Sequence, residues 1–131
     1  MTTTVSPTAQ VWTGRVLSGV AVLFLAMDAA MKVLQLPVAV EGTKKLGYPA
    51  GVVPVLGIIQ LICLAVYLIP RTRVLGAILW TGYLGGAVAT HVRVGDPLFT
   101  HILFPIYVAA LLWGGLCVRD ARLRAILKGA R

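Results

Sequence analysis

The chain has 131 residues, of which 59% are hydrophobic and only 12% charged, and its formal net charge is +8. A water-soluble domain carries roughly 25% charged residues, so a chain this apolar has too little polar surface to cover itself in water, and its solvent is lipid. The length allows one domain, 1–131, and the excess of Lys and Arg reads as a membrane-orientation signal rather than a nucleic-acid footprint.

In chain order, residues 1–12 are rich in Thr and Ser and are expected to form a short, poorly ordered tail. Four apolar blocks follow, at about 14–36, 50–69, 74–94 and 98–118. Each is close to the ~20 residues that cross ~30 Å of hydrocarbon at 1.5 Å per residue, and each is twice the ~10 alternating residues of a barrel strand. A cleavable signal peptide is the rival reading of the first block, with Arg15 ahead of it and small residues from Ala26 to Ala30. The apolar stretch continues past that point, which favours a retained helix. The separators hold Pro37, Glu41, Lys44, Lys45 and Pro49, then Pro70, Arg71 and Arg73, then Gly95, Asp96 and Pro97. The last two are so short that the helices they join must be antiparallel neighbours. The expectation is an all-α integral membrane protein, a bundle of four transmembrane helices closed by a basic tail, 119–131.

Basic residues set the orientation. One side of the membrane receives Arg15, Arg71, Arg73, Arg119, Arg122, Arg124, Lys128 and Arg131; the other receives Lys32, Lys44, Lys45 and Arg93, partly offset by Glu41 and Asp96. Both termini are therefore expected in the cytoplasm of a multi-pass cell-membrane protein. The tail can lie along the anionic inner leaflet or dock a cytoplasmic partner.

Ionisable groups at membrane depth are costly and mark functional sites by default. Asp28 and Lys32 are spaced i and i+4, on one helix face, and can pair. Lys32 lies 17 residues beyond Arg15, His91 lies 18 beyond Arg73 and His101 lies 18 before Arg119. Each is thus about 25–27 Å from the cytoplasmic end, with Asp28 about one turn deeper. Thr90, Arg93, Asp96 and Thr100 fall in or just above the same layer, and Gln60 and Tyr83 lie nearer the midplane. Three readings are open. The layer can bind the polar head of an amphiphile such as a quinone, with His titrating near neutrality. It can bind a metal through His91, His101 and Asp28, or a haem through the two His. Or it is a hydrogen-bond network that closes the loop between the third and fourth helices.

Cys63 and Cys117 have no CxxC partner and read as buried soft hydrophobes. Gly82 and Gly86 form a small-xxx-small pair, expected to admit a neighbouring helix of the bundle or of a second copy. Gly57 and Gly114 or Gly115 are expected to do the same for the second and fourth helices. Pro54 and Pro105 are expected to kink those helices. Trp12 suits an interfacial belt.

The stretches "DAAMKV", "LGYPAGVVPVLGIIQL", "LIPRTRVLGAILWTGYLGGAVATHVRVGDPLF" and "WGGLCVRD" together resemble the DoxX-like family of small four-helix membrane proteins. The third is the most specific, because it couples the Arg pair, the glycines and His91. The family is named for a subunit of an archaeal thiosulfate:quinone oxidoreductase, so the resemblance implies a four-helix membrane fold and a link with membrane redox complexes. Gln60 stands where relatives are expected to carry an acidic residue, which speaks against a mechanism needing a carboxylate on the second helix. Two functional expectations result: a redox-associated component with an outer-face site for a quinone-like ligand and a membrane redox partner, or a non-catalytic scaffold or small-molecule binding module.

Overall fold

The computed structural model describes residues 7–129, and among them every regular element is helical. The α-helices are α1 (Pro7–Val33), α2 (Pro37–Lys45), α3 (Val53–Leu68), α4 (Arg73–Arg93), α5 (Phe104–Arg119) and α6 (Ala121–Leu127). Short 3-10 turns, Ala50–Val52 and Pro70–Thr72, lead into α3 and α4, and a π-turn, Leu98–Ile102, leads into α5. Three segments, Pro7–Val33, Ala50–Leu68 and Leu98–Arg119, are long and apolar enough to cross a membrane. The 21-residue α4 is long enough, but its glycines, Thr81, Thr90, His91 and terminal arginines dilute its apolar content.

The long helices form a closed ring in the order α1, α3, α4, α5, with α1 and α4 across the diagonal and not packed on each other. The faces of α1 explain how. Its buried stripe is Gly14, Ser18, Ala21, Leu25 and Ala29, mostly small and spaced three or four apart. The opposite stripe of Trp12, Val16, Val20, Leu23 and Met27 is large, apolar and exposed. A helix that packs on small residues and exposes large ones is built for lipid, where close backbone approach and not hydrophobic burial holds helices together. At the α1–α5 crossing, a Cβ on Gly14 would come within 2.7 Å of the Gly115 carbonyl. A Cβ on Gly57 would come within 3.0 Å of the Ala29 carbonyl at the α1–α3 crossing.

The core occupies the α6 end of the ring. Trp80 and Tyr67 are its largest fully buried side chains, packed among Leu25, Leu64, Leu112 and Leu116, and Leu123 of α6 folds back onto this cluster. Asp120 makes that reversal. It is extended, ends α5 and caps α6 by accepting from the Arg122 and Leu123 N–H groups. A directed chain of hydrogen bonds threads the core. Arg119 Nη2 donates to Ser18 Oγ at 3.1 Å and Tyr67 donates to the Leu112 carbonyl at 3.0 Å, so Ser18 donates to the Tyr67 oxygen over 2.8 Å.

Several expectations change. Residues 7–12 belong to α1 and are not a loose tail, while residues 1–6 of that tail and Arg131 of the basic one lie outside the described residues. The separator after α1 contains the nine-residue α2, whose only buried side chain is Thr43. Pro54 and Pro105 are not kinks: each is in the first turn of its helix, where no backbone hydrogen bond is lost. Gly82 and Gly86 receive no neighbouring helix of this chain, since a Cβ on either meets nothing within 4 Å.

Candidate functional site

At the α2 end the interior of the ring is not filled, and a cavity of about 710 Å³ opens between α1, α3, α4 and α5 with α2 along its border. Its cause is a change in side-chain size along α4. At Trp80 the interior is filled. Two, six and seven residues further on, Gly82, Gly86 and Ala87 line empty space. The apolar wall comes from Phe24, Leu25, Leu56, Leu84, Phe104 and Val108.

The polar rim is built from residues that four separate elements bring together. Asp28 Oδ2 accepts from Lys32 Nζ at 2.6 Å and from Gln60 Nε2 at 2.7 Å. Lys32 pairs within its own helix because i and i+4 share a face, and its ammonium also stands 5.9 Å from the Tyr83 ring centroid, across the diagonal. Gln60 is fully buried and its Oε1 has no partner. This leaves one unfilled acceptor beside the cavity. On the other side His91 Nδ1 meets Asp96 Oδ2 at 2.6 Å, and the His91 and His101 rings lie 5.8 Å apart, edge to face. An ionised carboxylate only accepts, so His91 carries a proton on Nδ1. Thr90 donates to the Gly86 carbonyl at 2.8 Å, so the Tyr48 hydroxyl, 3.1 Å away, donates to Thr90.

Of the residues singled out in sequence, Asp28, Lys32, Gln60, Tyr83, Thr90, His91 and His101 line this cavity. Arg93 does not. Its guanidinium donates to the Leu46 carbonyl and packs on Gly47, tying the end of α4 to the end of α2. The three-ligand metal reading finds no support, because among the described residues no three His, Cys, Asp or Glu side chains gather as a metal set. Asp28 is committed to Lys32 and Gln60 instead.

Two rim residues stand in connections: Asp96, which the sequence places in or just above the layer, and Tyr48, which was not among the candidates. The same device places both. After α2, Gly47 adopts φ +93°, and the Tyr48 N–H returns to the Thr43 carbonyl. After α4, Gly95 adopts φ +74°, and the Asp96 N–H returns to the His91 carbonyl. Each is a left-handed glycine closing a helix C-terminus, which turns the next residue back over the last turn. The signal was therefore present in sequence: a glycine just past a helix end, followed by a polar residue.

These features define a small helical membrane protein with a one-ended, polar-rimmed cavity between its helices. The chain matches the DoxX-like family over residues 16–115, and it belongs to that family. The matched range contains every residue that lines the cavity. Neither the curated proteins nor the solved structures contain a match to this chain.

Proposed function

We propose that the protein crosses the cell membrane four times with both termini cytoplasmic, and that its outer-half cavity receives a quinone-like ring in a redox-associated membrane component. The observation that carries this is the cavity itself: a chamber of about 710 Å³ whose lining combines an apolar wall with Asp28, Lys32, Gln60, His91 and His101. An amphiphilic ring needs this combination, apolar walls with a few placed polar groups. α4 completes the four crossings as the antiparallel neighbour of α3 and α5, and eight Lys and Arg residues on the side of the termini support the orientation.

The rim supplies complementary chemistry. Lys32 offers a charged donor to a ring carbonyl. His91 Nε2 is positioned to take a proton from a quinol hydroxyl, and Asp96 on Nδ1 stabilises the imidazolium that forms. Quinol oxidation releases two protons and two electrons, and the electrons pass to a membrane redox partner. One observation favours the second reading, a non-catalytic binding module: Asp28, His91 and Tyr48 each already have a protein partner, Gln60, Asp96 and Thr90, without a ligand.

The test is extraction of purified protein followed by mass spectrometry, with titration of a short-chain ubiquinone into the stripped protein. A co-purifying quinone and saturable binding weakened by His91→Ala support the reading. Absence of both, with unchanged respiration-linked redox activity in Asp28→Ala, His91→Ala and His101→Ala, sinks it. Binding without any redox effect leaves the binding-module reading.

A further inference from the structure

The opposite end of the bundle holds a second, smaller pocket of about 430 Å³, and its lining is basic. Arg15 comes from α1, Arg73 from the start of α4, Arg119 from the end of α5 and Arg122 from α6. Three of these four, Arg15, Arg119 and Arg122, lie outside the range that matches the family.

The arginines are only partly neutralised by the protein, four against one carboxylate. Among the described residues the ion pairs are Lys32–Asp28 and His91–Asp96, both at the far end. Asp120 is the one carboxylate lining the pocket, and its Oδ1 is engaged by the Arg122 and Leu123 N–H groups. Packing does not use up the guanidinium groups either. Arg124, which is not in the lining, spends its Nη1 on the Cys117 and Val118 carbonyls. Arg119, by contrast, is fixed by a single bond from Nη2 to Ser18 and keeps a buried Nε with no acceptor. A buried unpaired donor is costly, and four unpaired guanidinium groups around one pocket repel one another. A ligand with several acceptor oxygens and negative charge relieves the repulsion. Trp12, exposed and 5.5 Å from the Arg15 guanidinium, sets this end at the membrane–water boundary.

We propose that this pocket is a phosphate site. Arginine is the side chain best matched to phosphate oxygens, through paired N–H bonds, and basic pockets between membrane helices take up phospholipid headgroups. The phosphate arrives on an anionic lipid or in solution, and the experiment separates the two.

Full-length protein in neutral detergent is examined by native mass spectrometry with equal amounts of phosphatidylglycerol and phosphatidylcholine, with and without millimolar inorganic phosphate. The pocket variant is R73Q/R122Q, at positions whose side chains make no hydrogen bond in the fold. The control, R71Q/K128Q, removes the same charge outside the pocket. The expected result is a preference for phosphatidylglycerol that falls about tenfold in the pocket variant and about twofold in the control. Displacement of the lipid by inorganic phosphate also supports the site, and saturable phosphate binding without any lipid preference assigns it to soluble phosphate groups. Equal losses in the two double variants, or no binding of either probe, overturn the proposal.

Discussion

The two halves of this bundle use the same residue types for opposite ends. At the α6 end, Gly14 and Gly115 bring α1 and α5 into backbone contact, and Trp80 and Tyr67 fill what remains. At the α2 end, Gly82 and Gly86 face nothing, and the space they leave is the cavity. The polar groups divide the same way. Ser18, Tyr67 and Arg119 form one directed chain ending on a backbone carbonyl, whereas Asp28, Gln60, His91 and Tyr48 form separate pairs around an opening. Small residues in a membrane helix thus create either contact or vacancy, according to whether a neighbouring backbone closes on them.

Substitutions at the two sets of glycines break that comparison most sharply. Gly115→Ala places a Cβ within 2.8 Å of the Gly14 carbonyl and the Ser18 nitrogen, both backbone atoms of the facing helix. It should cost about 2–3 kcal/mol, the usual range for overpacking, seen as an earlier transition in denaturation from detergent micelles. Tyr67→Phe comes next. It removes the oxygen that accepts from Ser18 and donates to Leu112, leaving both buried, and should cost about 1–2 kcal/mol in the same assay. Asp28→Asn acts at the other end. It strips the carboxylate from a partly exposed pair, so stability should fall by about 1 kcal/mol or less, while quinone affinity in a titration falls about tenfold through the disturbed Lys32. The smallest effect belongs to Gly86→Ala. Nothing lies within 4 Å of the added Cβ, and helix propensity favours alanine by roughly 0.8–1 kcal/mol, so the midpoint should stay level or rise slightly. Stability that fell alike in Gly115→Ala and Gly86→Ala would erase the distinction between the halves.

Much of the helical layout was legible, because long apolar runs and short charged separators leave few alternatives. The α2 helix was not. Nine residues with Pro37, Glu41, Lys44 and Lys45 carry the composition of a connection, and it is the border of the cavity that gives them a purpose. The cavity's residues were legible because ionisable side chains at membrane depth stand out against an apolar background and depth follows from counting. Their pairings were not. Asp28 pairs with Lys32 by helical spacing, but its bond to Gln60 depends on the α1–α3 crossing, which no spacing reports. The Gly82/Gly86 pair misled about packing within the chain for a physical reason: small-xxx-small spacing is identical for a packed seam and for an open wall. Arg93 misled because depth alone does not give direction, and its side chain reaches the backbone of the α2 end.

The central claim is that the vacancy opposite Gly82 and Gly86 is a ligand site. Titration of a short-chain ubiquinone into stripped wild-type and Gly86→Leu protein, with the unfolding midpoint of each recorded alongside, tests it most directly. The account predicts that the leucine side chain occupies the cavity, weakening binding at least about tenfold, the scale of a lost pocket for an apolar ring, at an unchanged or higher midpoint. Wild-type affinity in a folded Gly86→Leu protein would contradict it.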